Sequence, residues 1–314
     1  MDRENSKRPA IIPPSAKRRE KAVSVSIGIP AHNEQSTIGP QLRRVLSLTA
    51  PPGFRVVEVV LVASGCTDRT VEIAHRFQSN HPRLRVIDET ERRGLANALN
   101  ALFEQKLGDI LVVANADTII PDDLLTRLLP PLRDPNVGAV VGIAWPINRA
   151  DTFWGYVARL FYSLNYQPEF LRVDFEGCCA LRHSALNPIP ECFVDNETWV
   201  DRAVRVKGYR IVAAENCYTF TKAPETIREF VAQRRRYIYC HLETAHQLSY
   251  VSHLDMRLVI PKAVRRLRWT FRAVVWNAGA LLLIALSSAI GWYDYRKRRS
   301  HLTWKMVAST KSLF

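Results

Sequence analysis

The sequence lacks the spacings by which several common kinds of site are recognised. Its six cysteines include no Cys-x-x-Cys pair, so neither a zinc site nor a redox-active dithiol is indicated. No Gly-x-Gly-x-x-Gly follows the first apolar run, and no Walker loop occurs in the chain. These absences argue against a dinucleotide-dependent dehydrogenase and against a P-loop enzyme. A bound nucleotide would therefore be held by acidic side chains and a metal ion instead of a glycine cradle.

The start of the chain contains no apolar core of the kind found in signal peptides. Residues 1–21 are polar, with three prolines among scattered charges. We therefore expect no cleaved signal, and we expect residues 1–22 to form a disordered basic arm. Without a signal for export, the cysteines are expected to face the cytosol as reduced thiols.

The central part of the chain has little net charge, although the whole sequence carries +14. Residues 1–22 contribute +4 and residues 256–314 contribute +11, which leaves −1 for residues 23–255. A nucleic-acid-binding domain carries its basic surface on the folded body, so this distribution argues against nucleic acid as a partner. Basic segments beside an apolar run instead indicate contact with anionic lipid.

Between residues 23 and 145 the sequence alternates between β-strand and α-helix patterns. Such an alternation predicts βαβ units, and hence a mostly parallel sheet flanked by helices. The expected strands are Val23–Ile29, Val56–Val62, Leu84–Ile87, Ile110–Val113 and Val137–Ile143. Helices are expected, among other places, at Leu95–Gln105, Thr198–Val206 and Glu225–Ser249.

The stretch from Gly108 to Thr118 stands at the centre of this arrangement. Its run Ile110–Val113 predicts a strand buried on both faces, which ends abruptly at Asn115 and Asp117. The carboxyl edge of such a sheet is where open α/β folds bind ligands. A carboxylate there can hold a divalent cation, and the cation can hold a diphosphate. The same residue types are also common in loops that simply leave a strand.

Eight short motifs resemble, in order and spacing, those of family 2 glycosyltransferases. They cover about residues 23–245, and none of them is specific alone. The first four are Pro30-Ala-His-Asn-Glu34, Gly65-Cys-Thr-Asp-Arg-Thr70, Arg93-Gly-Leu-Ala-Asn-Ala-Leu-Asn100 and Ala114-Asn-Ala-Asp-Thr118. The other four are Glu176-Gly-Cys-Cys-Ala-Leu-Arg182, Asp195-Asn-Glu197, Gly208-Tyr-Arg210 and Gln233-Arg-Arg-Arg-Tyr237. The resemblance implies an α/β protein of the GT-A (nucleotide-diphospho-sugar transferase) fold, a nucleotide-sugar donor, Mg²⁺ or Mn²⁺, and usually inversion at the sugar carbon.

The resemblance places the donor-binding residues in the first half of the chain. Glu34 matches a loop acid near the nucleobase and ribose, and Asp68 matches a base-side or structural acid; both also suit helix capping. Asp117 matches the metal-binding position of the family's Asp-x-Asp motif, but Asn115 stands where the family has Asp. Leu95 is a second departure, at a position where many relatives carry Lys. The implied donor-binding residues are Pro30, Asn33, Glu34, Ser64, Asp68, Gly94, Asn115 and Asp117, with Asp117 as the metal ligand.

The resemblance places catalysis and acceptor binding in the second half of the chain. Glu197 is the expected general base, because an inverting transfer needs a carboxylate opposite the leaving diphosphate. Asp195 is the alternative base, and a surface acid in the first turn of a helix is the alternative role for Glu197. A triple Arg on a helix is also typical of a solvated or lipid-facing surface. The residues expected near the acceptor or diphosphate are Gly177, Arg182, Gln233, Arg236 and Tyr237.

Residues 273–292 form an apolar run without a charge, long enough to cross a bilayer of about 30 Å. Trp276 and Trp292 lie near its ends, where aromatic side chains favour the membrane interface. Arginines flank both ends, so charge does not decide the orientation. The run can be a single span, a hairpin or re-entrant segment with Leu302–Val307 on the surface, or the buried helix of a soluble protein.

These features predict an arm over residues 1–22, a GT-A domain over 23–255 and a membrane segment over 256–314. The domain would have a donor half of about 23–145 and an acceptor half of about 146–255. The predicted function is transfer of a sugar from a nucleotide-sugar donor to a glycan or lipid-linked acceptor, at the cell membrane with the catalytic domain facing the cytoplasm. The alternative is a catalytically degenerate GT-A protein that binds sugar or lipid, which Asn115 and Leu95 would favour.

Overall fold

The computed structural model describes residues 22–105, 108–166, 171–248, 265–267, 270–299, 301 and 310. Within these residues the chain forms one seven-stranded sheet with helices on both faces. The expected arm, apart from Ala22, and the expected surface segment Leu302–Val307 lie outside the described residues.

The sheet has the strand order β3-β2-β1-β4-β6-β5-β7. Neighbouring strands are parallel except at β6, which runs antiparallel to both β4 and β5. The predicted mostly parallel sheet is therefore confirmed. The strands are β1 Val23–Ala31, β2 Phe54–Ser64, β3 Leu84–Glu89, β4 Ile110–Val113, β5 Val137–Pro146, β6 Cys179–Arg182 and β7 Arg210–Thr221.

The helices connect these strands and then continue beyond the sheet. They are α1 Ile38–Ser47, α2 Thr70–Gln78, α3 Leu95–Glu104, α4 Leu124–Leu128, α5 Phe153–Asn165, α6 Asn196–Val206, α7 Ile227–Leu248 and α8 Phe271–Arg296. Among the described residues, α8 is the one helix that is long and apolar enough to cross a membrane.

Alternate residues of the central strands point into two apolar cores, one on each face of the sheet. Ile27 and Leu61 point into the core beside α1 and α2, whereas Val60 and Val113 point into the core beside α3. All four side chains of β4 are at most 1% exposed. Burial of each such side chain stabilises the fold by about 1.5–3 kcal/mol, so β4 is fixed at the middle of the molecule.

The elements absent from the sequence-based predictions are α5, β6 and β7. The four residues of β6 are too few to show a period, and their antiparallel direction is set by the two strands that they join. In β7 only alternate positions are buried over part of its length, because this strand lies at the edge of the sheet.

Candidate active site

A cleft of about 730 Å³ opens at the carboxyl ends of β1, β2 and β4, where α5, α6 and α7 close its other side. This is the edge at which open α/β sheets bind ligands. Most of the residues expected from the sequence meet there, although they come from distant parts of the chain. The expected residues that line the cleft are Pro30, Glu34, Ser64, Gly94, Asn115, Asp117, Asp195, Glu197, Gln233, Arg236 and Tyr237.

The loop after β4 is held at both ends, and it presents Asp117 to the cleft. At its start, Gln41 Nε2 donates to the backbone oxygen of Asn115 at 2.6 Å. At its end, the backbone of Ile119 exchanges two hydrogen bonds of 2.8 Å with Phe220 of β7. Because the loop is pinned on either side, the Asp117 carboxylate is carried by backbone that cannot easily move away from the sheet edge.

Asn33 and Asp68, which were predicted to bind the donor, are not among the residues that line the cleft. They form hydrogen bonds between the loop after β1 and the loop after β2. Asn33 adopts a φ of 54°, and its Oδ1 accepts the Thr67 N–H at 2.7 Å. The Asp68 carboxylate accepts N–H groups of Thr70 at 2.9 Å and Gln35 at 3.1 Å. Both side chains therefore organise the loops that follow β1 and β2, and for Asp68 the capping role fits the structure better than donor contact.

Glu34 and Gly94 do reach the cleft, each for a local reason. Glu34 is 5% exposed, and its Oε2 accepts the Thr37 hydroxyl at 2.8 Å, so part of its capacity is used in starting α1. Gly94 has a φ of 95° immediately before α3, a conformation that costs glycine little. The backbone of this helix start thereby comes to the cleft, with Leu95 beside it.

Glu197 lies in the first turn of α6 and lines the cleft. Its Oε1 accepts the backbone N–H of Phe175 at 3.1 Å. Burial and the nearby charge of Asp174 raise the pKa of Glu197 to about 8, against the opposing effect of Arg172. A carboxylate with a pKa near neutrality is well placed to accept a proton, so the surface-acid alternative does not fit this residue.

Asp195, the alternative base, is occupied with holding α6. Its Oδ1 caps the helix by accepting the Thr198 N–H at 3.2 Å, and its Oδ2 accepts the Thr244 hydroxyl at 3.2 Å. His241 lies 3.8 Å from the same carboxylate. Burial lowers the pKa of His241 to about 4, so the imidazole is neutral at pH 7 and this contact is not an ion pair. Because both of its carboxylate oxygens already accept hydrogen bonds, Asp195 is less able than Glu197 to bind an acceptor.

Helix α7 brings the Gln-Arg-Arg-Arg-Tyr segment to the opposite wall. All three arginines are partly buried, which does not fit the solvated or lipid-facing surface considered from the sequence. The Arg234 guanidinium lies 3.9 Å from the Phe161 ring centroid and 5.5 Å from that of Tyr237. Arg236, predicted for the diphosphate, lines the cleft, and so does Arg234, for which no role was predicted. The packing of α7 against its neighbours decides where Arg234 lies, and the spacing of the motif does not show it.

Glu176 is a further cleft carboxylate for which no role was predicted. Its oxygens accept the hydroxyls of Tyr162 at 2.9 Å and of Tyr237 at 3.4 Å. Burial and the charge of Asp174 raise the pKa of Glu176. These tyrosines lie on α5 and α7, so Glu176 ties both helices to the segment before β6. The sequence did hold a signal for Glu176, because this residue opens the motif that ends at Arg182.

Arg182 and Gly177 are not among the residues that line the cleft, contrary to the sequence-based prediction. Arg182 pairs with Ile110, at the amino end of β4 and thus at the far end of the sheet. Its guanidinium donates to the backbone oxygens of Leu132, Asp134 and Val137. Gly177 is needed for packing, because a Cβ there would lie 2.3 Å from the Gly142 oxygen. The motif that they share is structural at these two positions.

Several buried polar atoms in the cleft have no protein partner. In the described part of the chain, four buried side-chain atoms lack a hydrogen bond: Ser64 Oγ, Glu89 Oε2, Asn196 Oδ1 and Arg234 Nε. Three of these four belong to residues that line the cleft. Since buried polar groups in folded proteins are nearly always satisfied, their concentration at one place indicates a polar ligand.

The cleft could bind a metal ion whose ligands come partly from a bound diphosphate. Its described residues do not include enough protein ligands to bind a metal ion alone. Within the described residues, no group of three or more His, Cys, Asp or Glu side chains could hold a metal ion. Asp117 is the acidic residue at the strand end, with Asn115 two residues before it. Mg²⁺ is commonly held by one or two carboxylates with the remaining positions filled by phosphate oxygens and water. One carboxylate and a diphosphate would satisfy that pattern.

Two family models match the sequence. The model described as "Glycosyl transferase family 2" matches residues 26–188, and that described as "Glycosyl transferase family group 2" matches residues 110–309. Together they cover the sheet, the cleft and α8.

Relatives and solved structures agree with these matches. A beta-monoglucosyldiacylglycerol synthase from Synechocystis is 35% identical over 136 residues, which are 41% of this chain and 27% of that protein. A poly-beta-1,6-N-acetyl-D-glucosamine synthase from Staphylococcus aureus is 31% identical over 228 residues, 66% of this chain and 52% of that protein. The chain thus spans about a quarter to a half of the length of these relatives.

Among solved structures, a mannosyltransferase from Pyrobaculum calidifontis, in complex with GDP-Man and Mn²⁺, superposes with a TM-score of 0.64. It is 20% identical, and the match covers 88% of each chain. At this identity the likeness concerns the fold, and it confirms the predicted fold class.

Proposed function

This chain belongs to glycosyl transferase family 2, and we propose that it moves a sugar from a nucleotide-sugar donor to a glycan or lipid-linked acceptor at a membrane. The proposal depends on one observation: two carboxylates from distant parts of the chain line the same cleft. Asp117 comes from the loop after β4, and Glu197 comes from the first turn of α6. Asp117 would hold the cation that binds a donor diphosphate, and Glu197 would bind an acceptor hydroxyl.

The donor would lie along the carboxyl ends of β1, β2 and β4. The unpartnered Ser64 Oγ and Arg234 Nε support a polar, anionic ligand at this place. Arg234 is partly buried against aromatic rings, and its buried Nε is shielded from water, which strengthens its attraction to phosphate. Glu34, which lines the cleft near the end of β1, would contact the nucleoside portion.

A solved structure of similar fold and the residues of the cleft together support a divalent cation as cofactor. The Pyrobaculum enzyme was solved with Mn²⁺ and a nucleotide sugar. In this chain Asp117 would hold Mg²⁺ or Mn²⁺, with Asn115 as a neutral neighbour. A cation there would neutralise the charge that develops on the departing diphosphate.

Glu197 would act on the acceptor. Its Oε1 is oriented by the Phe175 N–H, and we assign Oε2 to the acceptor hydroxyl. As the acceptor oxygen bonds to the anomeric carbon, the bond from that carbon to the diphosphate oxygen breaks and the nucleoside diphosphate departs with the bonding electrons. The hydroxyl proton passes to Glu197. Attack from the face opposite the leaving group inverts the anomeric configuration.

Membrane association is supported by α8 and by the kind of acceptor that one relative's name states. Only 22% of the most apolar stretch of α8 is buried, unlike the core helix of a soluble protein. The Synechocystis relative is a synthase of a glucosyl diacylglycerol. We place the catalytic domain on the cytoplasmic side, because nucleotide sugars are cytosolic in this family.

The test of the proposed function is a panel of nucleotide sugars with glycan and lipid-linked acceptors. We expect at least one donor to release nucleoside diphosphate faster when an acceptor is present, since Glu197 takes its proton from that acceptor. The readout is released nucleoside diphosphate, with donor binding measured in parallel by calorimetry. Tight donor binding without turnover on any acceptor would contradict the enzyme proposal and favour a sugar-binding scaffold, as Asn115 and Leu95 would allow.

Attachment is tested by extraction of the full-length chain from membranes. We expect it to sediment with membranes, to resist high salt and carbonate, and to need detergent for release. Replacing two outward leucines of α8, Leu281→Glu with Leu282→Glu, should shift most of the protein to the soluble fraction, because buried charge in lipid is costly. The matched control is Val206→Glu, which changes an equally exposed apolar residue on α6 and should leave sedimentation unchanged. Release of the unchanged chain by salt alone would mean that contact is only electrostatic.

A further inference from the structure

The two faces of α8 are the reverse of those of an ordinary surface helix. An amphipathic helix of a soluble protein buries its apolar stripe and exposes its polar face. The residues that α8 buries against the protein are small or polar: Ala273, Asn277, Ala280, Ser287, Gly291 and Asp294. The large apolar residues that it exposes are Phe271, Val274, Val275, Leu281, Leu282, Leu286, Trp292 and Tyr293.

The buried residues are spaced by three, four or, once, seven residues along the helix, so they lie on one face of it. Small residues in such a stripe let two helices approach closely. At Gly291 a Cβ would lie 2.7 Å from the Arg235 oxygen and 2.9 Å from Ile238 Cβ, so only glycine fits. The outward apolar surface is therefore presented to its surroundings by a helix that is firmly seated on the domain.

Two polar contacts fix this seating. The Tyr156 hydroxyl donates to Asn277 Oδ1 at 2.6 Å near the start of α8. Near its end, Asp294 is fully buried and pairs with Arg235 of α7 at 2.6 Å. A buried carboxylate needs such a partner, so rotating the apolar face of α8 inward would break the pair between Asp294 and Arg235.

The course of α8 relative to α7 limits how it can meet a bilayer. The two helices run side by side in the same direction. Phe230 and Ala280 belong to one apolar cluster, and further along both helices the rings of Tyr239 and Tyr295 are 6.2 Å apart. Between these contacts α7 carries Gln233, Arg234 and Arg236 on the cleft wall. If α8 crossed the membrane, this wall of the cleft would lie at the depth of the hydrocarbon, where charged groups are costly.

Both ends of α8 carry cations that lie over aromatic rings. Arg272 lies 4.4 Å from the Trp276 ring centroid, and Arg296 lies 4.9 Å from that of Trp292. Lys297, Arg298 and Arg299 continue the basic cluster and are exposed. Aromatic rings with flanking cations are typical of the interface between lipid headgroups and acyl chains. The charge is complementary to anionic headgroups.

We propose that α8 lies in the plane of the membrane, with its apolar face in one leaflet of an anionic bilayer and its polar stripe on α5 and α7. The inference rests on the proposed membrane association, and it replaces the single span and the re-entrant segment by an interfacial helix. Because packed helix axes are about 8–10 Å apart, α7 and the mouth of the cleft are then held close to the lipid surface. Such a placement favours an acceptor that is itself embedded in the membrane.

The test measures the depth of three positions on the outward face of α8. Val275, Leu282 and Ala289 are spaced by seven residues and are all exposed. Each is replaced in turn by Cys in the full-length chain, labelled with an environment-sensitive fluorophore, and quenched by spin-labelled lipids in vesicles containing anionic lipid. The background is Cys66→Ser with Cys192→Ser, because the other four cysteines are buried. Ser79→Cys, at the exposed end of α2, is the matched control outside the membrane.

We expect the three labels to lie at one depth, about 5–10 Å below the headgroup boundary, and the Ser79→Cys label to remain unquenched. A spanning helix would place the label at 282 about 10 Å deeper than those at 275 and 289, since α8 rises about 1.5 Å per residue. That depth difference, or the absence of lipid quenching at all three positions, would overturn the proposal. Depth is read without turnover. Equal depths in a protein that transfers no sugar would therefore support the orientation and count against the proposed function alone.

Discussion

Glu197→Gln is expected to lower the rate of sugar transfer by about 10²–10⁴-fold, the usual contribution of a general base. The amide keeps the size of the side chain and can still accept the Phe175 N–H, but it cannot take a proton at neutral pH. Donor affinity should change little, because Glu197 acts on the acceptor and not on the diphosphate. A fall in kcat without a loss of donor binding is the pattern of an interaction made in the transition state.

The matched variant is Asp195→Asn, which changes the other acid of the same motif. Asn is also a good helix cap, and it can keep the bond to the Thr198 N–H. We expect this variant to retain most of its turnover. Single-turnover transfer by both proteins makes the comparison. If Asp195→Asn were inactive while Glu197→Gln kept near-normal turnover, the base would be Asp195 and the assignment of the motif would be shifted by two residues.

The same residue gives the reaction a dependence on pH. Glu197 has a pKa of about 8, so below that pH it is mostly protonated and cannot serve as a base. The value of kcat/KM for the acceptor is expected to rise about tenfold per pH unit below pH 8 and to level off above it. In Glu197→Gln this rise should be absent.

The sequence predicted the donor half well because its signals are local. The first four strands are rich in apolar residues, and polar side chains follow the apolar part of each within three residues. The parallel arrangement of these strands brings their polar ends together. Asp117 and Glu34 were therefore expected in the cleft, and they line it. Asn33 and Asp68 have the same residue types at similar places, but their hydrogen bonds go to neighbouring loops.

The acceptor half was harder to predict because it depends on long-range packing. The direction of β6 decides that Arg182 lies at the far end of the sheet from the cleft. The packing of α7 against α5 decides that Arg234 stacks on Phe161. Neither is encoded in the spacing of one segment. Likewise, the hydropathy of residues 273–292 indicated lipid, but the small and polar stripe that α8 packs on α5 and α7 depends on long-range contacts.

Asp117→Ala is the second substitution with a large expected effect, and it acts on the donor. Removing the carboxylate should weaken metal-dependent donor binding by more than the roughly 10–100-fold loss that follows even outer-shell changes at metal sites. The measurement is calorimetric titration of nucleotide sugar with Mg²⁺ or Mn²⁺, and again with excess chelator. The control is Asp122→Ala, an exposed acid paired with Arg44, whose loss should not change donor affinity. Equal donor affinity in chelator would rule out the metal.

Asn115→Asp probes the departure from the family's Asp-x-Asp pattern at the same loop. The substitution adds a carboxylate two residues from Asp117, and the backbone oxygen that Gln41 binds remains in place, so the loop should keep its position. We expect tighter metal binding, because a hard cation prefers charged oxygen ligands to an amide. Without the metal, the added negative charge should weaken donor binding by repelling the diphosphate. Opposite shifts of donor affinity with metal and with chelator would identify the cation as the link between this loop and the donor. Weaker binding in both conditions would show that Asn115 contacts the donor directly.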